Sequence, residues 1–354
     1  MADTFLKLDP REQSQIYRGL AEKLSRSPAV LEKDLWVCIV LHALFAMPGR
    51  KRMAFKGGTS LSKVFAAIGR FSEDVDVTID YRELDSSVDP FAESVSNSQI
   101  KKYNDNLKLC VHDHVTSVVK PYFSDLLGKR DSASCNIVVS DDGEQLRVEY
   151  PSVLDGERGD YLGNVVLVEF GGRNVTDPSS EHTIEPEIAA YLPVLTFPRA
   201  SVNVLSPSRT FWEKATLIHV ACHKATLEAG VQRLSRHWYD LATLADHEIG
   251  RDALSDRRLL KDVVRHKKVF FGIKGANYDA CLVGQMKLLP EARAVEALRE
   301  DYERMVEARM FTGPVRSFSD IVDRLRQLED EINEPENGEH DRVGLENSKP
   351  PRRR

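Results

Sequence analysis

The sequence predicts an α/β (α+β) protein: a mixed sheet core flanked by helices, followed by a C-terminal helical half. Three observations carry this. Short alternations of apolar and polar residues, the period of a strand, fall within residues 52–205. From Ser206 to Ile332 the apolar residues recur at helical spacing instead. Between a short strand and an amphipathic run, Gly57-Gly58 marks a strand–turn–helix unit.

At 354 residues the chain is long enough for two domains, and 42% hydrophobic residues supply a sizeable core. The longest apolar run, near Trp36 to Met47, falls well short of the roughly 20 residues that span a bilayer. The start MADTFLKLDP has neither a basic nor an apolar leader region. No membrane partner is therefore expected. Five scattered cysteines, none in a C-x-x-C pair, fit a reducing cytoplasm. Net charge is −6, so any nucleic-acid contact must come from a local basic patch.

Taken in order, Arg11 to Ala46 reads as two helices, the second starting after Ser27-Pro28 and apolar on most faces. Arg52 to Phe55 is a strand, Leu61 to Ile68 a helix, and the stretch from Phe71 to Asp80 a strand. Residues 85–129 read as two helices with a kink near Pro121. Strands follow at Cys135–Val139, Leu146–Tyr150 and Asn164–Phe170, then a Pro-rich, acidic loop over Gly171–Pro198 and a strand at 202–205. Helices are expected at 210–229, 237–248, 252–270, 290–310 and 319–332. This divides the chain into a core with N-terminal helices (1–205), a helical domain completing a cleft (206–332) and a disordered acidic tail (333–354).

The sharpest chemical feature is Gly57-Gly58-Thr59-Ser60 followed by Asp74-x-Asp76. Residues i and i+2 of a strand point to one face, so the two aspartates project together. Neighbouring carboxylates raise each other's pKa unless a cation lies between them. Mg²⁺ binds through one or two carboxylates plus substrate phosphates. A double glycine lets backbone N–H groups approach a phosphate closely, and Thr59 and Ser60 add hydroxyls. Glu169 sits in mid-strand among apolar residues, where a lone charge is expensive, with Glu149 as the second candidate. Either could instead be an ion pair, with Arg173 or Arg147.

"FKGGTSLSKVF" and "RFSEDVDV", then "SPSRTFWEKATLIH" and "RHWYDLAT", together resemble the AbiEii/AbiGii nucleotidyltransferase toxins, of the DNA polymerase β-type superfamily. The resemblance covers about residues 50–245 and implies a nucleotidyltransferase-type core. It implies that Asp74 and Asp76 hold Mg²⁺ (or Mn²⁺), and that Gly57, Gly58, Thr59, Ser60 and Ser72 line the site of the NTP substrate. Lys63, on the helix after the turn, is a further substrate-binding candidate. Lys214 would bind phosphate, Asp240 would complete the site, and Glu169 would serve as third carboxylate. The resemblance further implies transfer to the tRNA 3′ end, growth inhibition in toxin–antitoxin or phage-defence systems, and a cognate antitoxin, a transcriptional regulator acting without a tight complex.

The residues also speak for themselves. Lys214 lies beside the apolar stripe Phe211, Ala215, Ile218 and Cys222, where it could reach inward or snorkel outward. Asp240 could simply favour the start of a helix. Arg209 and Arg236 are phosphate candidates because a guanidinium matches phosphate oxygens in bidentate geometry. Arg258, Lys261, Arg265 and Lys268 form the basic face of one helix, either a solvated surface or a track for a nucleic-acid backbone. Modification of a protein side chain, and a non-catalytic nucleotide-binding module, are the rival readings.

Overall fold

The computed structural model describes residues 4–128, 134–154, 163–224, 227 and 231–334. The tail expected to be disordered lies, from residue 335 on, outside the described residues. Helices α1 (Pro10–Leu24) and α2 (Pro28–Ala46) open the chain. Asp9 and Glu12 form a reciprocal capping box on α1, and Ser27 caps α2 ahead of a first-turn proline. As its composition demands, α2 is buried on nearly every face. Its charged residues are paired: Glu32 accepts from the Ser152 hydroxyl and the Val153 N–H, Lys33 meets Glu73, and Asp34 meets Lys63.

The sheet begins with β1 (Met53–Lys56), which leads through the short helix α3 (Gly57–Lys63) to β2 (Val75–Asp80). Next come α4 (Tyr81–Leu84), α5 (Asn97–His114) and α6 (Lys120–Leu127). One π-helical turn at Val115–Val119 joins the last two just ahead of Pro121, where the kink was expected. Strands β3 (Asn136–Val139), β4 (Gln145–Glu149), β5 (Val165–Asn174), β6 (Ser179–Ile184) and β7 (Ala200–Leu205) complete a seven-stranded sheet ordered β3-β4-β5-β2-β1-β7-β6. The β2–β5 and β1–β7 pairs are parallel and the others antiparallel.

The stretch 171–198 is not the loop its composition suggests. It holds the end of β5, the edge strand β6 and a 3-10 turn at Glu187–Tyr191. The edge strand reads Ser-Ser-Glu-His and faces solvent, so it shows no apolar alternation.

Strand period places Phe55, Val75, Val77, Val166, Val168, Val202 and Val204 in one apolar core beneath α2. The intervening residues Lys56, Asp76 and Glu169 lie on the opposite face. Helices α7 (Pro207–Cys222), α8 (Ser235–Asp246), α9 (Glu248–Ser255), α10 (Arg257–Phe270), α11 (Ala292–Glu307) and α12 (Phe318–Asn333) build the second half. The helix expected over 252–270 is broken at Asp256, whose side chain caps α10. The second half has its own core, which also takes in Leu61, Ala67 and Ile68 from the first.

Candidate active site

A cavity of about 290 Å³ lies on the sheet face turned away from α2, walled by α7, α8 and α10. Its floor follows from strand register. Lys56 on β1 is paired with Asp76 on β2, and Asp76 with Glu169 on β5. One step further, Gln145 on β4 is paired with Glu169 and donates to it at 3.0 Å. Burial, then the Glu169 carboxylate beside it, pushes Asp76 up to about 7, against the pull of Lys56 and Lys214. Asp74, one residue ahead of β2, lines the same cavity and lies 3.4 Å from Arg236 Nη1. The two aspartates therefore share one side, as the i, i+2 spacing requires.

The glycines are explained by close approach. Gly57 has φ of +83°, and a methyl group there would lie 2.0 Å from Asp76 Oδ2. A methyl on Gly58 would sit 2.7 Å from the Arg70 guanidinium and 2.8 Å from Ser72 Oγ. Gly57, Gly58 and Ser72 line the cavity as expected.

Thr59, Ser60 and Lys63 do not. The buried Thr59 hydroxyl donates to the Asp74 carbonyl, with Ser72 Oγ 3.0 Å away, and Ser60 Oγ donates to Gly57 O at 2.9 Å. Both brace the turn, have no hydroxyl proton left to donate to a substrate, and are buried away from the cavity. Lys63 ends α3 on its other side, in a buried ion pair with Asp34, because the helix turns it toward α2.

Lys214 reaches the cavity and meets Asp240 at 2.9 Å. Asp240 is wholly buried and also takes a two-pronged contact from Arg70, at 2.6 and 2.7 Å. Burial opposes its ionisation, but Arg70 and Lys214 hold the carboxyl far below its usual range. Asp240 therefore holds Lys214 and Arg70 and does not itself line the cavity.

Arg236 lines the cavity, whereas Arg209 does not. Arg209 is 1% exposed and spans from Glu213 (3.5 Å) to Asp262 (2.6 Å), tying α7 to α10. Glu149 pairs with Asn136 and Arg147 toward the sheet edge, so that of the two glutamate candidates Glu169 lines the cavity. The alternative, an ion pair of Glu169 with Arg173, is not made among the described residues, and Arg173 instead lies over the Phe271 ring at 4.8 Å. Arg258, Lys261, Arg265 and Lys268 are all exposed on the outer face of α10. Lys268 meets Asp279 at 2.7 Å, and Arg265 stacks over Phe91.

Several lining residues escaped the sequence reading: Lys56, Arg70, Glu213, Leu217, His237 and Lys267. Register with Asp76 could have pointed to Lys56. Burial keeps His237 well below its usual range, and its Nδ1 is buried with no hydrogen-bond partner among the described residues. Burial likewise pushes Lys267 down to about 8.

A family model described as "Nucleotidyl transferase AbiEii toxin, Type IV TA system" matches residues 39–324. The chain belongs to the AbiEii toxin family. An AbiEii protein is an NTP-dependent nucleotidyltransferase and the toxin of a type IV toxin–antitoxin system, with a cognate antitoxin. The fold resembles that of MenT4, a nucleotidyltransferase toxin from Mycobacterium tuberculosis H37Rv. The two share 18% identity and a TM-score of 0.50, over 93% of this chain and 91% of that one. No curated protein sequence matches this AbiEii chain. Among its described residues no helix is long and apolar enough to cross a membrane.

Enzymes of this kind typically use a divalent metal. Among the described residues no three acidic, imidazole or thiol groups already converge as a metal cluster. The donors nonetheless fit a hard cation. Asp76 and Glu169 are neighbouring carboxylates, Glu169 disfavouring the charge on the buried Asp76, and Asp74 lines the same cavity.

Proposed function

We propose that this toxin transfers a nucleoside monophosphate from a Mg²⁺-bound NTP to the 3′-terminal hydroxyl of tRNA, releasing pyrophosphate. Blocking the acceptor end would stop aminoacylation and arrest growth, in a toxin–antitoxin or phage-defence role. The observation that carries this reading is the division of one cavity's charges between three neighbouring carboxylates (Asp74, Asp76, Glu169) and helix-borne cations (Lys214, Arg236), with Lys56 of the floor paired to Glu213 of the wall. That division suits an anionic substrate held by a cation. Asp74 and Asp76 would hold the metal, which offsets charge on the phosphates.

The remaining roles fall to the chain's own groups. Lys214, oriented by Asp240, presents its ammonium to the NTP phosphates. Arg236 flanks them beside Asp74. Gly57 and Gly58 let the substrate approach the backbone. Glu169 receives the proton of the attacking hydroxyl, steadied by Gln145. The acceptor oxygen bonds to the α-phosphorus as the α–β bridge breaks. Such a site depends on positioning and electrostatics. The cognate antitoxin, on this reading, is a transcriptional regulator that forms no tight complex, and the toxin works in the cytoplasm.

The test is incubation with each NTP labelled at the α-phosphate, Mg²⁺ and total tRNA. Label should enter RNA, and Asp74→Asn or Asp76→Asn should abolish it while leaving the chain folded. Label in protein would overturn the tRNA assignment, and no label in any acceptor would overturn transfer altogether.

A further inference from the structure

The cations around the cavity fall into two groups. Arg70 and Lys214 share Asp240, and Arg236 meets Asp74, so each of these has a carboxylate partner. On the α10 side the balance differs. Lys56 meets Glu213 at 3.2 Å, and Arg209 is spent on Asp262 and Glu213. Lys267 lines the cavity yet makes no side-chain hydrogen bond or ion pair among the described residues. Its ammonium lies 4.6 Å from the centre of the Phe271 ring, and the Arg173 guanidinium lies 4.8 Å from the same ring.

A partly buried ammonium whose nearby carboxylate, Glu213, is already engaged by Lys56 and Arg209 is costly. An anion arriving with substrate would relieve that cost. A reaction that joins an NTP to a polynucleotide brings two sets of phosphates to one cavity. The group around Lys214 and Arg236, beside Asp74, suits the triphosphate. That leaves the α10 side for the other strand, and the outer face of α10 carries four exposed cations along which a backbone could run.

We propose that Lys267, with Arg173 beside it on the Phe271 ring, forms a second anion subsite that takes a phosphate of the acceptor's terminal phosphodiester. The inference rests on the polynucleotide acceptor proposed above. The partly exposed Phe271 ring, flanked by these cations, adds a surface on which a terminal base can stack.

The experiment uses the full chain, with Lys267→Ala and Lys267→Arg. One arm measures equilibrium binding of a non-hydrolysable NTP with Mg²⁺. The other measures binding of an RNA hairpin with a single-stranded 3′ end across a salt series. Lys267→Ala should weaken RNA binding by about tenfold. It should also lower the slope of log affinity against log salt by about 0.7, the loss of one single-strand phosphate contact. NTP affinity should hold within about twofold, and Lys267→Arg should restore the slope. A merely structural lysine would not move the salt slope. Lost NTP affinity with an unchanged RNA slope would assign the subsite to the nucleotide and overturn the proposal. No change in either arm would abolish the subsite. If wild-type protein labels RNA but the slope is insensitive to Lys267, this inference fails and the tRNA reading stands. If wild-type protein neither labels nor binds RNA, both fail. Should Lys267→Ala melt early, Lys267→Met repeats the measurement with the stem kept.

Discussion

Asp76 stores an electrostatic conflict that can be read without any substrate. Its folded pKa of about 7 stands above the usual 3.8, so the fold prefers the neutral form. The stability it contributes is complete below about pH 4 and is lost as pH rises toward 7. In metal-free protein Asp76→Asn should therefore raise Tm by several degrees at pH 8 and by less at pH 5. An equal gain at both pH values, followed by calorimetry, would remove the conflict from the site. Gly57→Ala is the complementary test. Its methyl would strike the Asp76 carboxylate, and φ of +83° adds strain, so loss of about 1–3 kcal/mol is expected together with near-complete loss of transfer. Denaturant titration and the labelling assay check it. At this scale the sequence was informative where geometry is periodic. Asp74 and Asp76 line one cavity as the i, i+2 spacing of an extended segment suggests, although Asp74 lies just ahead of β2, and Gly57-Gly58 announces a close approach. It was uninformative where a direction around a short helix decides. Thr59, Ser60 and Lys63 look equivalent to Gly58 in the sequence, yet α3 turns them into the structure.

Helix α10 shows what one element can do with two charged faces. Leu260, Val263 and Val264 are buried, four cations face outward, and Lys267 alone of its residues reaches the cavity. Its position against α7 depends on Arg209, whose guanidinium joins Glu213 and Asp262. Arg209→Met should leave the buried Glu213 short of a partner and cost about 2–4 kcal/mol. A Tm drop of several degrees, with KM for RNA rising more than kcat falls, is the expected signature. An unchanged Tm would mean that apolar contacts alone seat the helix. The amphipathic pattern of α10 was plain in the sequence, and its outward row is exposed as that pattern requires. Lys267 was hidden inside the same basic run, because a run of like charge does not reveal which member departs from the common face. Strand β6 was hidden for another reason: a solvent-facing edge need not alternate apolar with polar residues.

The described residues build two main cores, one for each half of the chain, that interlock beside the cavity. A division after residue 205 follows the step from β7 to α7, but Leu61, Ala67 and Ile68 belong to the second core. Arg70, 4% exposed, finds its carboxylate on α8. A fragment of residues 1–205 would bare those apolar side chains and leave Arg70 unpaired. It should fail to unfold cooperatively, whereas the full chain should melt as a unit, as calorimetry would show. A fragment with a sharp transition would establish the first half as independent. The broad class was legible from periodicity, since period two gives way to helical spacing near residue 206. The stitching was not, because Arg70 and Asp240 are separated by 170 residues and no local pattern links them. That separation has a bearing on how a cell survives making such a protein. A growing polypeptide still on the ribosome has the acids of β2 long before Asp240 emerges to set Lys214, and before Lys267 closes the last wall. The cavity is therefore incomplete until residue 267 of 354, just over three-quarters of the chain, has left the exit tunnel.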